Sequence, residues 1–166
     1  MKCVTNIWSP PTRRCPSTDN PVTPMAHVEA SIDIPVSPDE IWRLIGGFGS
    51  LPDWLSFMPT SELTEGGRVR RLANRDGETL VERLVAFDDT ARSYSYSFLE
   101  APFPVTDHLA TLRVHQTDGG KGSRVQWFCR FKPNSVSVQE ESQLIQVIQA
   151  IFDDGLKSLA AKLASE

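Results

Sequence analysis

The chain has 166 residues, enough for one domain with a hydrophobic core of its own. Its 17 Lys and Arg against 21 Asp and Glu give a net charge of −4 without any basic cluster, which argues against a nucleic-acid partner. No apolar run approaches the roughly 18 residues that a membrane-spanning helix needs. The 3 cysteines and 3 histidines are scattered, so we expect no disulfide framework, no metal site and no cofactor.

The N-terminal segment differs in composition from the rest of the chain. Residues 1–24 are rich in Pro, Ser and Thr and show no periodic apolar pattern. Such a segment buries too little apolar surface to fold. We therefore predict a disordered extension over residues 1–24 and one folded domain over residues 25–166, with Met25 as a candidate for the true start. The segment has no apolar stretch typical of a signal peptide, and we expect a cytoplasmic protein.

The folded region begins with a predicted strand and two short helices. Apolar and polar residues alternate over residues 26–35, which is typical of a strand with one buried face. Ser37 then provides a helix N-cap, a proline follows it, and Glu40 completes a capping box. Two glycines end this helix. A second short helix, capped by Ser50, carries Trp54.

Two hairpins then follow, and the position of each turn predicts which residues pair. The first turn is centred on Asp76 and pairs Arg70 with Glu82. The second turn is centred near Asp89, which pairs Glu82 with Tyr96. Arg70, Glu82 and Tyr96 should therefore be neighbours on one face of the sheet.

A third hairpin carries an aromatic face. Its loop, Pro102–Pro104, is bounded by prolines and places Phe98 beside His108. Because side chains alternate between the two faces of a strand, the same face can be followed through every hairpin. The residues predicted to face inward are Arg70, Leu72, Leu80, Glu82, Leu84, Tyr94, Tyr96, Phe98, His108, Ala110, Leu112, Trp127 and Phe131.

The chain ends in a long amphipathic segment. Apolar residues at spacings of three and four predict a helix over about residues 138–164. Gly155 within the apolar stripe costs about 1 kcal/mol of helix stability, which we interpret as the close approach of a neighbouring backbone. This helix is long enough to cover the aromatic face. We predict an α+β fold in which a curved antiparallel sheet of about seven strands wraps around the C-terminal helix, with two short helices after the first strand.

This order of elements is that of the helix-grip fold, and the chain resembles the START-like (SRPBCC) superfamily. That superfamily includes plant allergens of the birch-pollen type, plant hormone receptors and bacterial polyketide cyclase/dehydrase-like proteins. The motifs that carry the resemblance are SPDEIW, Trp54, GRVRRL, the strand around Glu82, SYSFLEAPFPVTDHLATLRV and VQWFCRF. The last two resemble most the small bacterial polyketide cyclase/dehydrase-like members. The resemblance extends from Met25 to the C-terminus.

The resemblance implies an apolar cavity between the sheet and the long helix. Such a cavity would hold one small hydrophobic or amphipathic ligand, lipid-like or polyketide-like, with the loop Pro102–Pro104 at its mouth, in a monomer or a homodimer. The residues expected to bind that ligand are Trp54, Arg70, Glu82, Tyr94, Tyr96, Phe98, Phe103, His108, Leu112, Trp127, Phe131, Ile148 and Phe152.

The polar residues of this set admit more than one role. Arg70 and Glu82 are either a polar anchor or acid/base pair for the ligand, or an internal salt bridge that satisfies two buried charges. His108 is either a hydrogen-bond partner or general base, or a histidine at the rim of a pocket. Two alternatives to simple binding therefore stay open. One is a cyclase/dehydrase-type enzyme in which Glu82 or His108 moves a proton and Arg70 stabilises an enolate; the other is a regulatory module that presents Phe103 to a partner.

Overall fold

The computed structural model describes residues 24–117 and 119–165. The expected extension over residues 1–24 lies, Pro24 excepted, outside this part of the chain. Within it, the chain forms seven strands and three α-helices in the order β1 (Ala26–Ile34), α1 (Pro38–Ile45), α2 (Leu51–Trp54), β2 (Thr60–Thr64), β3 (Val69–Ala73), β4 (Thr79–Asp88), β5 (Ser93–Glu100), β6 (Val105–Gln116), β7 (Ser123–Pro133) and α3 (Val138–Ala164).

All seven strands form one antiparallel sheet in the order β1-β7-β6-β5-β4-β3-β2. Helix α3 packs against β1 and β7 and also touches α2. The other half of the sheet, from β3 to β5, extends beyond that contact. The predicted α+β helix-grip fold, with short helices after the first strand, is confirmed. In the described part of the chain no helix is both long enough and apolar enough to cross a membrane.

The predicted helix caps are confirmed at Ser37 and wrong at Ser50. The hydroxyl of Ser37 accepts a hydrogen bond from the backbone N–H of Glu40 at the start of α1. A full capping box, formed by Ser137 and Glu140, begins α3. In contrast, the hydroxyl of Ser50 donates to the carbonyl oxygen of Gly47 and does not cap α2. Helices α1 and α3 are therefore fixed at their first turns by Ser37, which the sequence predicts, and by Ser137, which it does not.

The hairpin registers agree with prediction in two of three cases. Arg70 pairs with Glu82 across β3 and β4, and Tyr96 pairs with Ala110 across β5 and β6. The predicted pairing of Glu82 with Tyr96 is wrong, because Glu82 lies opposite Phe98. The turn is longer than expected and ends at Arg92, which has a positive φ of 49°.

A β-bulge between Leu84 and Ala86 adds a further irregularity to the β4–β5 pairing. On the side of the bulge away from the turn Leu84 faces Tyr96, whereas the predicted register places it opposite Tyr94. A shift of two residues preserves the alternation of faces. The predicted inward face therefore survives the error in register.

Gly155 lies where α3 meets the sheet, but the predicted reason for it is wrong. A Cβ atom at this position would lie 2.7 Å from Cζ3 of Trp127 and 2.9 Å from Cδ1 of Leu55. The glycine therefore makes room for two side chains, not for a neighbouring backbone.

Candidate functional site

A cavity of about 580 Å³ lies between α3 and the sheet. Strands β3 to β7 provide its floor, α3 the opposite wall, and α2 with the residues after it one side. It forms because α3 packs against the β1–β7 end of the sheet, so that the strands further along face a gap. The volume falls within the range of about 300 to 1,000 Å³ that is usual for small-molecule sites.

Most of the residues expected to bind a ligand line this cavity. They are Arg70, Glu82, Tyr96, Phe98, Phe103, His108, Trp127, Ile148 and Phe152. The others are part of the packed core, where they are almost completely buried: Trp54, Tyr94, Leu112 and Phe131. The sequence thus indicates the correct face of the sheet, but alternation alone does not separate a residue on the cavity wall from one in the core.

The most polar part of the cavity wall is the ion pair of Arg70 and Glu82. Nε of Arg70 donates to Oε2 of Glu82 over 2.6 Å, and Nη1 donates to the carbonyl oxygen of Phe48 over 2.9 Å. The guanidinium carbon lies 4.2 Å from the ring centroid of Phe48 and 4.7 Å from that of Tyr96. Arg70 is therefore held by a carboxylate, a carbonyl and aromatic rings, the contacts that a buried cation requires.

Burial and pairing act on this ion pair in opposite directions. Burial raises the pKa of Glu82, and the guanidinium of Arg70 offsets part of that increase. Burial lowers the pKa of Arg70, but the Glu82 carboxylate opposes this and the net shift of the pKa is upward. The arginine therefore stays charged, while the carboxylate is easier to protonate than a glutamate in water.

A second polar contact joins Tyr96 and Trp127, which both lie on strands of the cavity floor. Nε1 of Trp127 donates to the phenolic oxygen of Tyr96 over 2.9 Å, and the indole stacks on Phe152 with ring centroids 4.5 Å apart. Burial raises the pKa of Tyr96 well above its ordinary value, and the nearby Glu82 adds to this. Tyr96 is therefore a neutral phenol that already accepts one hydrogen bond, and its O–H remains able to donate.

His108 is the third polar element, and it lies in an aromatic stack. Its ring is parallel to that of Phe98, with centroids 3.6 Å apart, and Phe103 lies 6.0 Å beyond Phe98. Its Nδ1 atom is buried without a hydrogen-bond partner among the described residues. Burial lowers the pKa of His108 to about 4. The imidazole is therefore neutral near pH 7, with one donor and one acceptor nitrogen.

A bulge in β6 places His108 at the edge of the site. The pairing of β6 with β7 shifts between Thr106 and Leu109, and Asp107 within that bulge has a φ of 52°. His108 is buried whereas Thr106 and Asp107 are exposed. Bulges are common beside functional sites because they redirect a side chain, and this one ends the inward-facing part of β6 at the histidine.

The rim of the cavity consists of connections that the sequence analysis did not assign to the site. They are the residues after α2, the β3–β4 turn and the β5–β6 loop, which contribute Ser56, Phe57, Met58, Asn74, Arg75, Asp76, Glu78, Thr79 and Pro102. Nη2 of Arg75 donates to the carbonyl oxygen of Ser56 over 3.3 Å, so that two of these connections touch. No sequence pattern signals this group, because it exists only where three separate loops meet.

The part of the chain that the structure describes contains one cysteine, Cys129, and no cluster of metal-ligating side chains. Cys129 is buried, and burial raises the pKa of its thiol to about 12, so that it is a small apolar residue and not a thiolate. Among residues 24–117 and 119–165, no group of three or more His, Cys, Asp or Glu could hold a metal ion.

Comparison with known proteins gives a consistent result. The family model described as polyketide cyclase/dehydrase and lipid transport matches residues 25–164. The crystal structure of an uncharacterised protein from Bacillus thuringiensis is 49% identical, with a TM-score of 0.76 over 82% of this chain and 97% of that one. The protein XoxI from Bacillus cereus is 48% identical, with a TM-score of 0.77 over 82% of this chain and 94% of that one.

A more distant structure shares the fold alone. The di-domain ARO/CYC protein BexL is 15% identical, with a TM-score of 0.73 over 84% of this chain and 46% of that one.

Proposed function

Because this chain belongs to the polyketide cyclase/dehydrase and lipid transport family, we propose that it binds a small hydrophobic or amphipathic molecule in the cavity between the sheet and α3. The observation that carries the proposal is the cavity itself, about 580 Å³ in volume with mostly apolar walls. A folded domain of this size ordinarily packs its interior with few voids larger than a water molecule. A space this large, bounded by aromatic and aliphatic side chains, is therefore best explained by a ligand.

The cavity wall offers both apolar surface and uncharged polar groups. Trp127, Ile148 and Phe152 provide apolar surface for the body of the ligand. The polar groups of Tyr96 and His108 lie on the sheet side, where they would orient a polar end of the ligand. Burial of the apolar part would supply most of the affinity, at about 25 cal/mol for each Å² removed from water, and the polar contacts would supply the orientation.

The experiment is a titration with 1-aminoanthracene, an uncharged probe whose fluorescence rises in apolar surroundings. Ile151 is half-buried on α3 and lines the cavity, so Ile151→Trp should fill it and weaken binding by about tenfold or more. Val147 lies one turn earlier on the same helix and is 48% exposed. Val147→Trp, the matched control, should bind the probe as the wild type does. Equal binding by both variants would place the probe outside the cavity and refute the proposal.

The shifted pKa values support enzymatic proton transfer as a second candidate function. Burial raises the pKa of Glu82 and lowers that of His108, and both residues line the same cavity. Opposite shifts of two titratable groups in one cavity are common at acid/base sites. In this mechanism Glu82 or His108 removes a proton from the carbon next to a carbonyl group of the substrate, and Arg70 stabilises the enolate that results. Binding is the better supported function, because Arg70 and Glu82 already satisfy each other.

Proton transfer can be measured without knowing the natural substrate. A ketone that fits the cavity, such as 2-acetylnaphthalene, should exchange its α-protons for deuterium faster in the presence of the protein, as followed by NMR in D2O. Glu82→Gln and His108→Phe should each abolish the acceleration if the residue takes part. If the ketone binds but its proton exchange is not accelerated, the proton-transfer function is refuted and the binding function stands.

A further inference from the structure

We propose that the cavity selects an uncharged ligand, whose polar end is an alcohol, phenol, ketone or amide and not a carboxylate or a phosphate. This inference rests on the proposed binding function and specifies the chemical class of the ligand. It follows from the charges on the cavity wall and from the contacts that those charges already make.

The buried cation is not available to an anionic ligand. Arg70 is 1% exposed, and its Nε and Nη1 atoms are committed to Glu82 and to the carbonyl oxygen of Phe48. The rings of Phe48 and Tyr96 lie against the guanidinium. A carboxylate recognised by arginine normally takes two parallel N–H donors from the guanidinium. To do so here, it would have to compete with Glu82 and with the carbonyl oxygen of Phe48 for these donors, and a displaced Glu82 carboxylate would stay buried without its partner.

The other polar groups on the inner wall carry no charge. Burial keeps the phenol of Tyr96 protonated and the imidazole of His108 neutral near pH 7. Trp127 contributes an indole N–H, which Tyr96 already accepts. These groups can donate to or accept from a neutral polar group, but they cannot compensate a negative charge.

The rim does not attract anions either. Of the exposed side chains that line it, Arg75 carries a positive charge and Asp76 and Glu78 carry negative charges. The charges of Arg70 and Glu82 cancel, so the inner wall of the cavity has no net formal charge. The three charged rim residues give the mouth a net negative charge. An anion entering this site would lose its hydration without gaining a free cation, which opposes its binding.

Two nearly isosteric ligands test this inference on the wild-type protein. At about pH 7.5, 2-naphthamide is neutral while 2-naphthoic acid is ionised. Displacement of 1-aminoanthracene should give a Kd for the amide that is at least about tenfold lower than that for the acid. If the acid competes as well as the amide, or better, the inference is wrong while the binding function stands. If neither ligand competes and 1-aminoanthracene does not bind, the proposed function fails and the inference fails with it.

A variant tests the reason for the selectivity. Glu82→Gln removes the charge that neutralises Arg70, so the ratio of the two Kd values should shift towards the acid by about tenfold. The control is Glu62→Gln, which removes an exposed carboxylate on β2 that does not line the cavity and should change the ratio by less than about threefold. An unchanged ratio in Glu82→Gln would contradict the assigned role of the ion pair. Should that variant fail to fold, the wild-type ratio alone decides.

Discussion

Nε of Arg70 lies 2.6 Å from Oε2 of Glu82 on the inward face of the sheet, and both side chains are buried. The two residues are direct neighbours across β3 and β4. The hairpin therefore brings their opposite charges together, and the charges cancel. A buried ion pair contributes little net stability compared with apolar residues of the same size, whereas a broken pair is costly. The pair therefore fixes the polar character of the cavity and makes it sensitive to single substitutions.

Loss of Arg70 alone should strongly destabilise the fold. We expect Arg70→Ala to lower the free energy of unfolding by about 3 to 5 kcal/mol, because Glu82 would stay buried without a partner. Urea denaturation followed by circular dichroism measures this difference. Arg83→Ala is the matched control, since Arg83 pairs with Glu65 at the surface and should cost less than about 1 kcal/mol. A loss below about 0.5 kcal/mol for Arg70→Ala would show that the pair is not buried.

Stability should depend on pH through His108. Burial lowers the pKa of His108 from 6.5 to about 4 in the folded protein, so its neutral form is favoured by folding. The resulting stability is present above pH 6.5 and is lost as the pH falls towards 4. By linkage this amounts to about 2 kcal/mol between pH 7.5 and pH 5.

His108→Phe keeps an aromatic ring on Phe98 and removes the titrating group, so the variant should lose less stability over that interval. Glu82, whose pKa is raised, contributes with the opposite sign in both proteins. The difference between the two pH profiles therefore isolates His108. Parallel profiles would contradict the assignment.

Gly155→Ala should destabilise the protein although alanine is the better helix former. The added Cβ would meet Trp127 at 2.7 Å and Leu55 at 2.9 Å, and crowding of a packed core costs about 1 to 3 kcal/mol. The gain in helix propensity, about 1 kcal/mol, offsets part of this. We expect a net loss in thermal or urea unfolding. Ala150→Gly, at an exposed site on the same helix, measures the effect of helix propensity alone. Stabilisation by Gly155→Ala would refute the close contact.

Phe103 should control how fast a ligand leaves. It is half-buried, lines the cavity and lies in the stack with Phe98 near the rim. Phe103→Ala should therefore accelerate dissociation of 1-aminoanthracene by about tenfold in a stopped-flow experiment. Phe128→Ala removes the same side chain from a half-buried site on the opposite face of the sheet and serves as the control. Equal dissociation rates for the two variants would exclude the loop as a gate.

The sequence predicts the fold well because the signals it contains are local. Alternating apolar residues and a turn at Asp76 define β3 and β4, and apolar residues at spacings of three and four define α3, all within a few residues. Strand β2 was not predicted, because almost all of its residues are exposed and it has no buried face to create alternation. The β4–β5 register was wrong since neither the bulge near Leu84 nor the left-handed Arg92 has a sequence signature.

The site is only partly predictable for a related reason. The partnership of Arg70 and Glu82 follows from one turn, and so does the contact of Phe98 with His108. The carbonyl oxygen of Phe48 is a backbone group from a loop that is distant in sequence, so no residue type predicts this contact. The boundary between cavity and core is set by where α3 docks on the sheet, which depends on the whole of the packing.

The position of a bound probe tests the central claim most directly. An isotope-filtered NOESY spectrum of the protein with 1-aminoanthracene reports which methyl groups lie within about 5 Å of the probe. We expect contacts to methyl groups of Leu72 and Leu80 on the sheet and of Ile148 and Ile151 on α3, all of which line the cavity. Contacts confined to exposed residues such as Val85 and Val147, or no intermolecular contacts at all, would contradict a ligand site between the sheet and the C-terminal helix.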